Sequence, residues 1–170
     1  MSKSKIMVLT ALITFAFAMA AIGNAVAGEK FKLRTVSYTT KWEQLDVPGE
    51  EKHIIALCED KGVGVNMEGK TFGDGSVSVQ VGLFDINVKT GLGSMHAYGE
   101  VTERDGAKYY YRSEGKRLRG ELWASYWEGE TIIVKGTGRY EGIKGKATWS
   151  LYPISPMQAY TVEEWEVELP

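Results

Sequence analysis

The sequence predicts an all-β protein, either an antiparallel meander or a barrel. Apolar and polar residues alternate with a period of two in short segments, and glycines or Asp-Gly pairs separate these segments. No window has the i, i+3, i+4, i+7 apolar spacing of an amphipathic helix. The 170-residue chain also contains 20 glycines, nine tyrosines and five tryptophans, a composition typical of strands joined by tight turns.

Residues 1–27 have the pattern of a secretory signal peptide. Lys3 and Lys5 precede an apolar run from Ile6 to Ala21, and Ala25-Val26-Ala27 has the small residues of a cleavage site. The apolar run is short for a membrane-spanning helix. We therefore expect cleavage after Ala27, no stable membrane insertion, and delivery of a soluble protein to the periplasm or beyond.

Residues 28–170 are predicted to form one domain, because this length supports one hydrophobic core. They contain 18 Lys and Arg against 22 Asp and Glu, and the resulting net charge of −4 argues against nucleic acid as a partner. Cys58 has no second cysteine to pair with, and we expect it to be buried as a small apolar side chain. The two histidines have no metal-ligand spacing, and no nucleotide-binding motif is present, so no metal or cofactor is expected.

The pattern predicts nine strand-like segments along this domain. They cover residues 31–46, 53–63, 76–90, 93–104, 107–114, 119–127, 131–138, 145–152 and 158–169. An eight-stranded barrel with one extra or split strand accommodates them, since closure removes the exposed edges of a flat sheet.

Four glycines between the last predicted strands, Gly136, Gly138, Gly142 and Gly145, predict a tight corner. Residues 136–145 read GTGRYEGIKG, which resembles the G-T-G-[KR]-[FY]-x-G-[IA]-x-G signature of the allene oxide cyclase and dirigent-type β-barrels. The resemblance is greater to small secreted bacterial proteins of unknown role that share this barrel, and it extends weakly to residues 93–115. It implies an eight-stranded antiparallel barrel of the calycin type. Because the motif is structural, it implies no activity.

The Asp105-Gly106 pair predicts a hairpin with a two-residue type I′ turn, in which Glu103 pairs with Lys108. This register places several polar and aromatic side chains on one face of the hairpin: His96, Tyr98, Glu100, Tyr109 and Tyr111. Such a set could bind a polar head group or move a proton. The alternative is a solvated outer face, and the period of two does not decide which face points inward.

Two further candidates lie on later strands. Trp123 shares a predicted strand face with Trp127 and would either line the barrel mouth or pack in the core. Glu163 shares the apolar face of the last strand with Trp165, where an ionised acid is costly unless it is paired. It is expected either at the barrel rim or in a cavity, and burial in a cavity would raise its pKa.

These patterns favour a secreted barrel that binds a small apolar or aromatic molecule. The candidate ligand-binding residues are His96, Tyr98, Glu100, Tyr111, Trp123 and Glu163. A cofactor-free cyclase or isomerase acting in the same cavity is the alternative, and a structural or homo-oligomer-forming barrel is the third. Binding needs only a cavity with polar anchors, whereas catalysis also needs an acid or base with a tuned pKa, and no catalytic residue can be assigned.

Overall fold

A computed structural model describes residues 28–119 and 125–170, which form a closed barrel of eight antiparallel strands. Each strand pairs with the next in the chain, and β8 pairs with β1. The strands are β1 (Glu29–Asp46), β2 (His53–Asn66), β3 (Val77–Asn87), β4 (Leu92–Thr102), β5 (Lys108–Arg119), β6 (Tyr126–Thr137), β7 (Lys144–Ser155) and β8 (Gln158–Glu168). The predicted all-β, eight-stranded antiparallel barrel is thereby confirmed.

Two parts of the sequence-based prediction lie wholly or partly outside the described residues. The predicted signal peptide, residues 1–27, lies outside the described residues. The centre of the predicted strand 119–127, residues 120–124, also lies outside the described residues; on either side of it, β5 ends at Arg119 and β6 begins at Tyr126. In the part of the chain that the structure describes, no helix has the length and apolar character needed to cross a membrane.

One end of the barrel, here called the closed end, is filled by aromatic side chains. Phe72, from the connection between β2 and β3, lies between Phe31 and Tyr109, with ring centroids 4.6 and 5.3 Å away. Aromatic pairs of this kind contribute about 0.5–1.5 kcal/mol each beyond the area they bury. The buried Glu103 ties the same connection to β4, since its Oε1 accepts a hydrogen bond from the Gly73 N–H at 2.9 Å. This end is therefore sealed by packing.

The predicted glycine corner lies between β6 and β7 at the closed end and contains a 3₁₀ turn, Gly138–Tyr140. Gly138 and Gly142 have positive φ angles of 62° and 89°, which L side chains rarely adopt. Gly136 is required for a different reason, because a Cβ there would collide with the carbonyl oxygen of Tyr140. The corner thus depends on backbone conformation at two glycines and on close approach at a third.

The β4–β5 hairpin has a three-residue loop, and the predicted two-residue turn is wrong. Glu103 N–H donates to the Ala107 carbonyl at 2.9 Å, and Gly106 N–H donates to the Glu103 carbonyl at 2.9 Å. Gly106 has a φ of 84°, as the three-residue hairpin loop requires. Thr102 consequently pairs with Lys108, one position away from the predicted register. A slip of one residue exchanges the two faces of a strand, and every cross-strand prediction on this hairpin changes with it.

Candidate functional site

The barrel interior contains two adjoining cavities. The inner chamber, in the middle of the barrel, has a volume of about 100 Å³. The mouth chamber has a volume of about 270 Å³ and lies toward the end opposite the closed end, beside the β7–β8 turn. Six residues line both chambers: Ser37, Asp60, Gln80, Met95, Trp149 and Leu151. The two chambers therefore adjoin each other, with these six side chains between them.

Glu163 is the acid of the inner chamber. Its Oε1 accepts a hydrogen bond from the Thr35 hydroxyl and its Oε2 accepts one from the Trp165 indole N–H, both at 2.7 Å. The side chain lies deep in the barrel, and the surface it leaves open faces the chamber. Burial raises the pKa of Glu163, and these two hydrogen bonds oppose the rise. Glu163 is therefore an acid that holds its proton to higher pH than an exposed glutamate.

Asp60, on β2, is a second carboxyl group and lines both chambers. Its Oδ1 accepts from the Thr39 hydroxyl at 2.7 Å, and its Oδ2 accepts from Gln80 Nε2 at 3.4 Å and from Cys58 Sγ at 3.3 Å. Gln80 Oε1 in turn accepts from the Tyr111 hydroxyl at 3.2 Å. Tyr111, Gln80, Asp60 and Thr39 therefore form a hydrogen-bonded row that crosses the wall of the cavity from β5 to β1.

Tyr111 reaches Gln80 only because a glycine lies between them. Gly99, on β4, pairs directly with Tyr111, and a Cβ on Gly99 would collide with the phenol ring. The ring therefore lies flat across β4 and reaches β3. Burial raises the pKa of Tyr111, with Glu163 and Asp60 adding to the rise, so the phenol stays protonated as a hydrogen-bond donor.

Trp149, on β7, forms the wall common to both chambers. Its ring lies over Gly115 and Gly129, which pair with each other across β5 and β6. Its indole N–H donates to the Ser113 hydroxyl at 2.9 Å. Two inward-facing glycines thus create the space in which this indole lies.

The mouth chamber is more apolar than the inner chamber. The Trp42 and Phe84 ring centroids lie 5.9 Å apart, and Phe84 meets Trp127 edge to face at 5.3 Å. Met157 and Leu151 add aliphatic surface from the β7–β8 side. Aromatic and aliphatic walls with a few convergent polar groups are the usual lining of a small-molecule site.

Of the six residues predicted to bind a ligand, the structure brings only Tyr111 and Glu163 together at the inner chamber. His96 and Tyr98 lie on the outer wall, where Tyr98 is 69% exposed and the His96 ring lies 3.8 Å from Glu114. Glu100 is also on the outer wall and pairs with Lys108 at 2.7 Å, which lowers its pKa. Trp123 lies outside the described residues. The predicted site on the hairpin face is therefore not formed, because the register differs by one residue.

Sequence reasoning missed Asp60, Gln80 and Trp149. Asp60 lies on the same face of β2 as Ala56 and Cys58, so the period of two would have placed it inside the barrel.

Cys58 is buried, as expected, and burial raises the pKa of its thiol. Within residues 28–119 and 125–170, no group of three or more His, Cys, Asp or Glu side chains is arranged to hold a metal ion.

Comparison with known proteins finds no matching protein-family model and no significant match among curated proteins. Among solved structures, the chain is similar to the crystal structure of the conserved protein of unknown function RPA1785 from Rhodopseudomonas palustris. The TM-score is 0.55 at 12% sequence identity, and the match covers 83% of this chain and 98% of that chain. At this identity the similarity shows the fold alone: this chain shares an eight-stranded antiparallel barrel with an uncharacterised protein.

Proposed function

We propose that this protein binds a small apolar or aromatic molecule inside its barrel. The observation that carries the proposal is the pair of adjoining chambers, whose walls change from aromatic at the mouth to polar in the interior. The body of the ligand would lie against Trp42, Phe84 and Trp127, and its polar end would reach the row from Tyr111 to Asp60.

The space exists because the middle of the barrel is lined by small residues. Eight-stranded barrels have interiors that side chains can fill or that can hold one small ligand. Here the small residues at the middle of the barrel lie between the apolar clusters at its two ends, and they include Ser37, Gly62 and Ser78. Transfer of apolar ligand surface into this space is favourable by about 25 cal/mol per Å² before the costs of association.

A blocking substitution tests this proposal. Ser37 lines both chambers, so a phenylalanine side chain in Ser37→Phe should fill the space where they adjoin. Val36 is the adjacent outward-facing residue and is 48% exposed, so Val36→Phe introduces the same ring on the outer wall as a matched control. Isothermal titration calorimetry with propylbenzene should show binding to the wild type and to Val36→Phe, with at least a tenfold loss in Ser37→Phe. Equal binding by all three proteins, or no binding to the wild type, would contradict the proposal.

The buried acid supports a second candidate, a cofactor-free cyclase or isomerase that uses the same cavity. Glu163 faces the inner chamber and its pKa is raised, which are two properties a general acid needs. In that case Glu163→Gln would still bind a neutral substrate but would not convert it. Substrate consumption in the wild type, followed by chromatography, would distinguish catalysis from binding.

The outer wall supports the proposal of self-association. Val77, Val79, Val81 and Leu83 on β3 are all 37–50% exposed and form one apolar strip. Large exposed apolar strips on soluble proteins commonly mark interaction surfaces. The strip suits a second copy of this chain as its partner. The charged groups beside the strip occur as pairs of opposite charge, such as Lys61 with Glu59, so two identical strips would not repel each other. Val81→Lys should reduce the mass measured by sedimentation equilibrium, and a monomeric wild type would contradict the proposal.

A further inference from the structure

The charged groups that line the inner chamber are mainly acids. Asp60 and Glu163 both direct their carboxyl groups to it. Lys61 also borders the chamber, but its ammonium group lies 3.7 Å from Glu59, its neighbour on the outer face of β2. Arg117 is buried nearer the mouth, where its Nε donates to the Ser125 hydroxyl at 2.8 Å, and it lines neither chamber. Among the described residues, the chamber has two carboxyl groups and no basic group directed into it.

Several hydrogen-bond donors around the chamber are engaged, although the hydroxyl groups of Ser78, Tyr109 and Thr161 also line it. The Thr35 hydroxyl and the Trp165 indole donate to Glu163, the Tyr111 hydroxyl donates to Gln80, and the amide of Gln80 donates to Asp60. The acceptors are not saturated, because each Glu163 oxygen accepts one hydrogen bond and a carboxylate oxygen can accept about two. A ligand that enters the chamber therefore meets free acceptors.

The polar end of a ligand must match these acceptors. A donor such as an ammonium or hydroxyl group would complete the hydrogen bonding of the carboxyl oxygens. A carboxylate would lose its water and lie beside two acidic side chains, with no basic group directed to it among the described residues. The two kinds of ligand thus differ in both hydrogen bonding and charge.

We propose that the ligand of this barrel is an aromatic or aliphatic amine, or an alcohol of the same shape, and that the matching carboxylate is rejected. This inference rests on the proposed binding function and specifies the chemical class of the ligand. The amine is favoured over the alcohol, since an ammonium group adds charge attraction to hydrogen bonding.

Four probes with the same phenylpropyl body test the inference on the full chain: propylbenzene, 3-phenylpropan-1-amine, 3-phenylpropan-1-ol and 3-phenylpropanoate. Titration calorimetry at pH 8 should rank the amine first and the alcohol second, with the amine binding at least tenfold more tightly than the carboxylate. Glu163→Gln should weaken amine binding about tenfold relative to propylbenzene binding. Glu164→Gln changes the adjacent outward-facing acid, which pairs with Lys32 at 2.7 Å, and should change neither.

The probes also separate this inference from the proposed function. If propylbenzene binds but the carboxylate binds as tightly as the amine, the barrel holds apolar ligands and the donor preference is overturned. If none of the four probes binds, the proposed function fails and the inference fails with it. If Glu163→Gln does not fold, the order of the four affinities in the wild type still decides between the outcomes.

Discussion

Replacement of Gly115 by alanine should destabilise the barrel through Trp149. A Cβ at position 115 would lie 2.5 Å from Cη2 and 2.7 Å from Cζ2 of the indole, whereas favourable carbon–carbon contacts need about 3.5–4.0 Å. The ring must therefore move by about 1 Å, and this movement would break the 2.9 Å hydrogen bond from its N–H to Ser113.

The expected loss in the free energy of unfolding is about 2–4 kcal/mol. Overpacking of an interior contributes about 1–3 kcal/mol, and the broken hydrogen bond contributes about 0.5–1.5 kcal/mol. Urea unfolding followed by far-ultraviolet circular dichroism measures this loss. Gly82→Ala is the matched control. Its Cβ would lie 3.0 Å from Cε2 of Phe84 and in ordinary contact with Ala97 and Cys58 at 3.5 and 3.6 Å, so it should cost below about 1 kcal/mol.

A double substitution shows whether the indole causes the loss. In a Trp149→Leu background, Gly115→Ala should cost below about 1 kcal/mol, because the ring is gone and the remaining close contact is with the Glu128 carbonyl oxygen at 3.0 Å. An unchanged cost in that background would refute the reasoning, since Gly115 would then be needed for a reason other than the position of Trp149.

Three further predictions concern the corner, the buried acid and the N-terminus. Gly136→Ala should destabilise the barrel more than Gly142→Ala in urea unfolding, because the first introduces a collision with the Tyr140 carbonyl oxygen. The second mainly forces an L side chain to a positive φ, which costs about 1–2 kcal/mol. The reverse order would contradict this account of the corner. The pKa of Glu163 is raised in the folded state, so its contribution to stability should fall as the pH rises from 4.5 through that raised pKa. In a pH series of unfolding measurements, Glu163→Gln should remove this fall in stability at rising pH. Glu164→Gln is the contrasting variant: Lys32 lowers the pKa of Glu164, so this substitution should remove a loss of stability at falling pH. N-terminal sequencing of the exported protein should begin at Gly28, and a chain that begins at Met1 would contradict the predicted cleavage.

The period of two in the sequence predicted antiparallel strands in a meander or a barrel, because it depends only on which side chains alternate between core and surface. The resemblance of the glycine signature then implied the eight-stranded barrel that the structure shows. The period of two also placed Glu163 inward, and of the two alternatives, rim or cavity, the structure supports the cavity. The hairpin register could not be predicted, since Asp105-Gly106 suits loops of two or three residues and a single residue decides which face points inward.

The remaining parts of the site depend on contacts between strands that are distant in the sequence. Trp149 on β7 lies over Gly115 and Gly129 on β5 and β6, and Tyr111 reaches Gln80 across Gly99. In the sequence each of these glycines is only an interruption of a strand pattern. Their role appears once strand pairing shows which aromatic ring each one accommodates.

A crystal structure of the protein bound to 3-phenylpropan-1-amine tests the central claim most directly. The account predicts density for the phenyl ring beside Trp42 and Phe84 in the mouth chamber, with the ammonium group in the inner chamber within hydrogen-bond distance of Glu163 or Asp60. Density for the amine on the outer wall, with both chambers free of it, would contradict the claim that the barrel interior is the binding site.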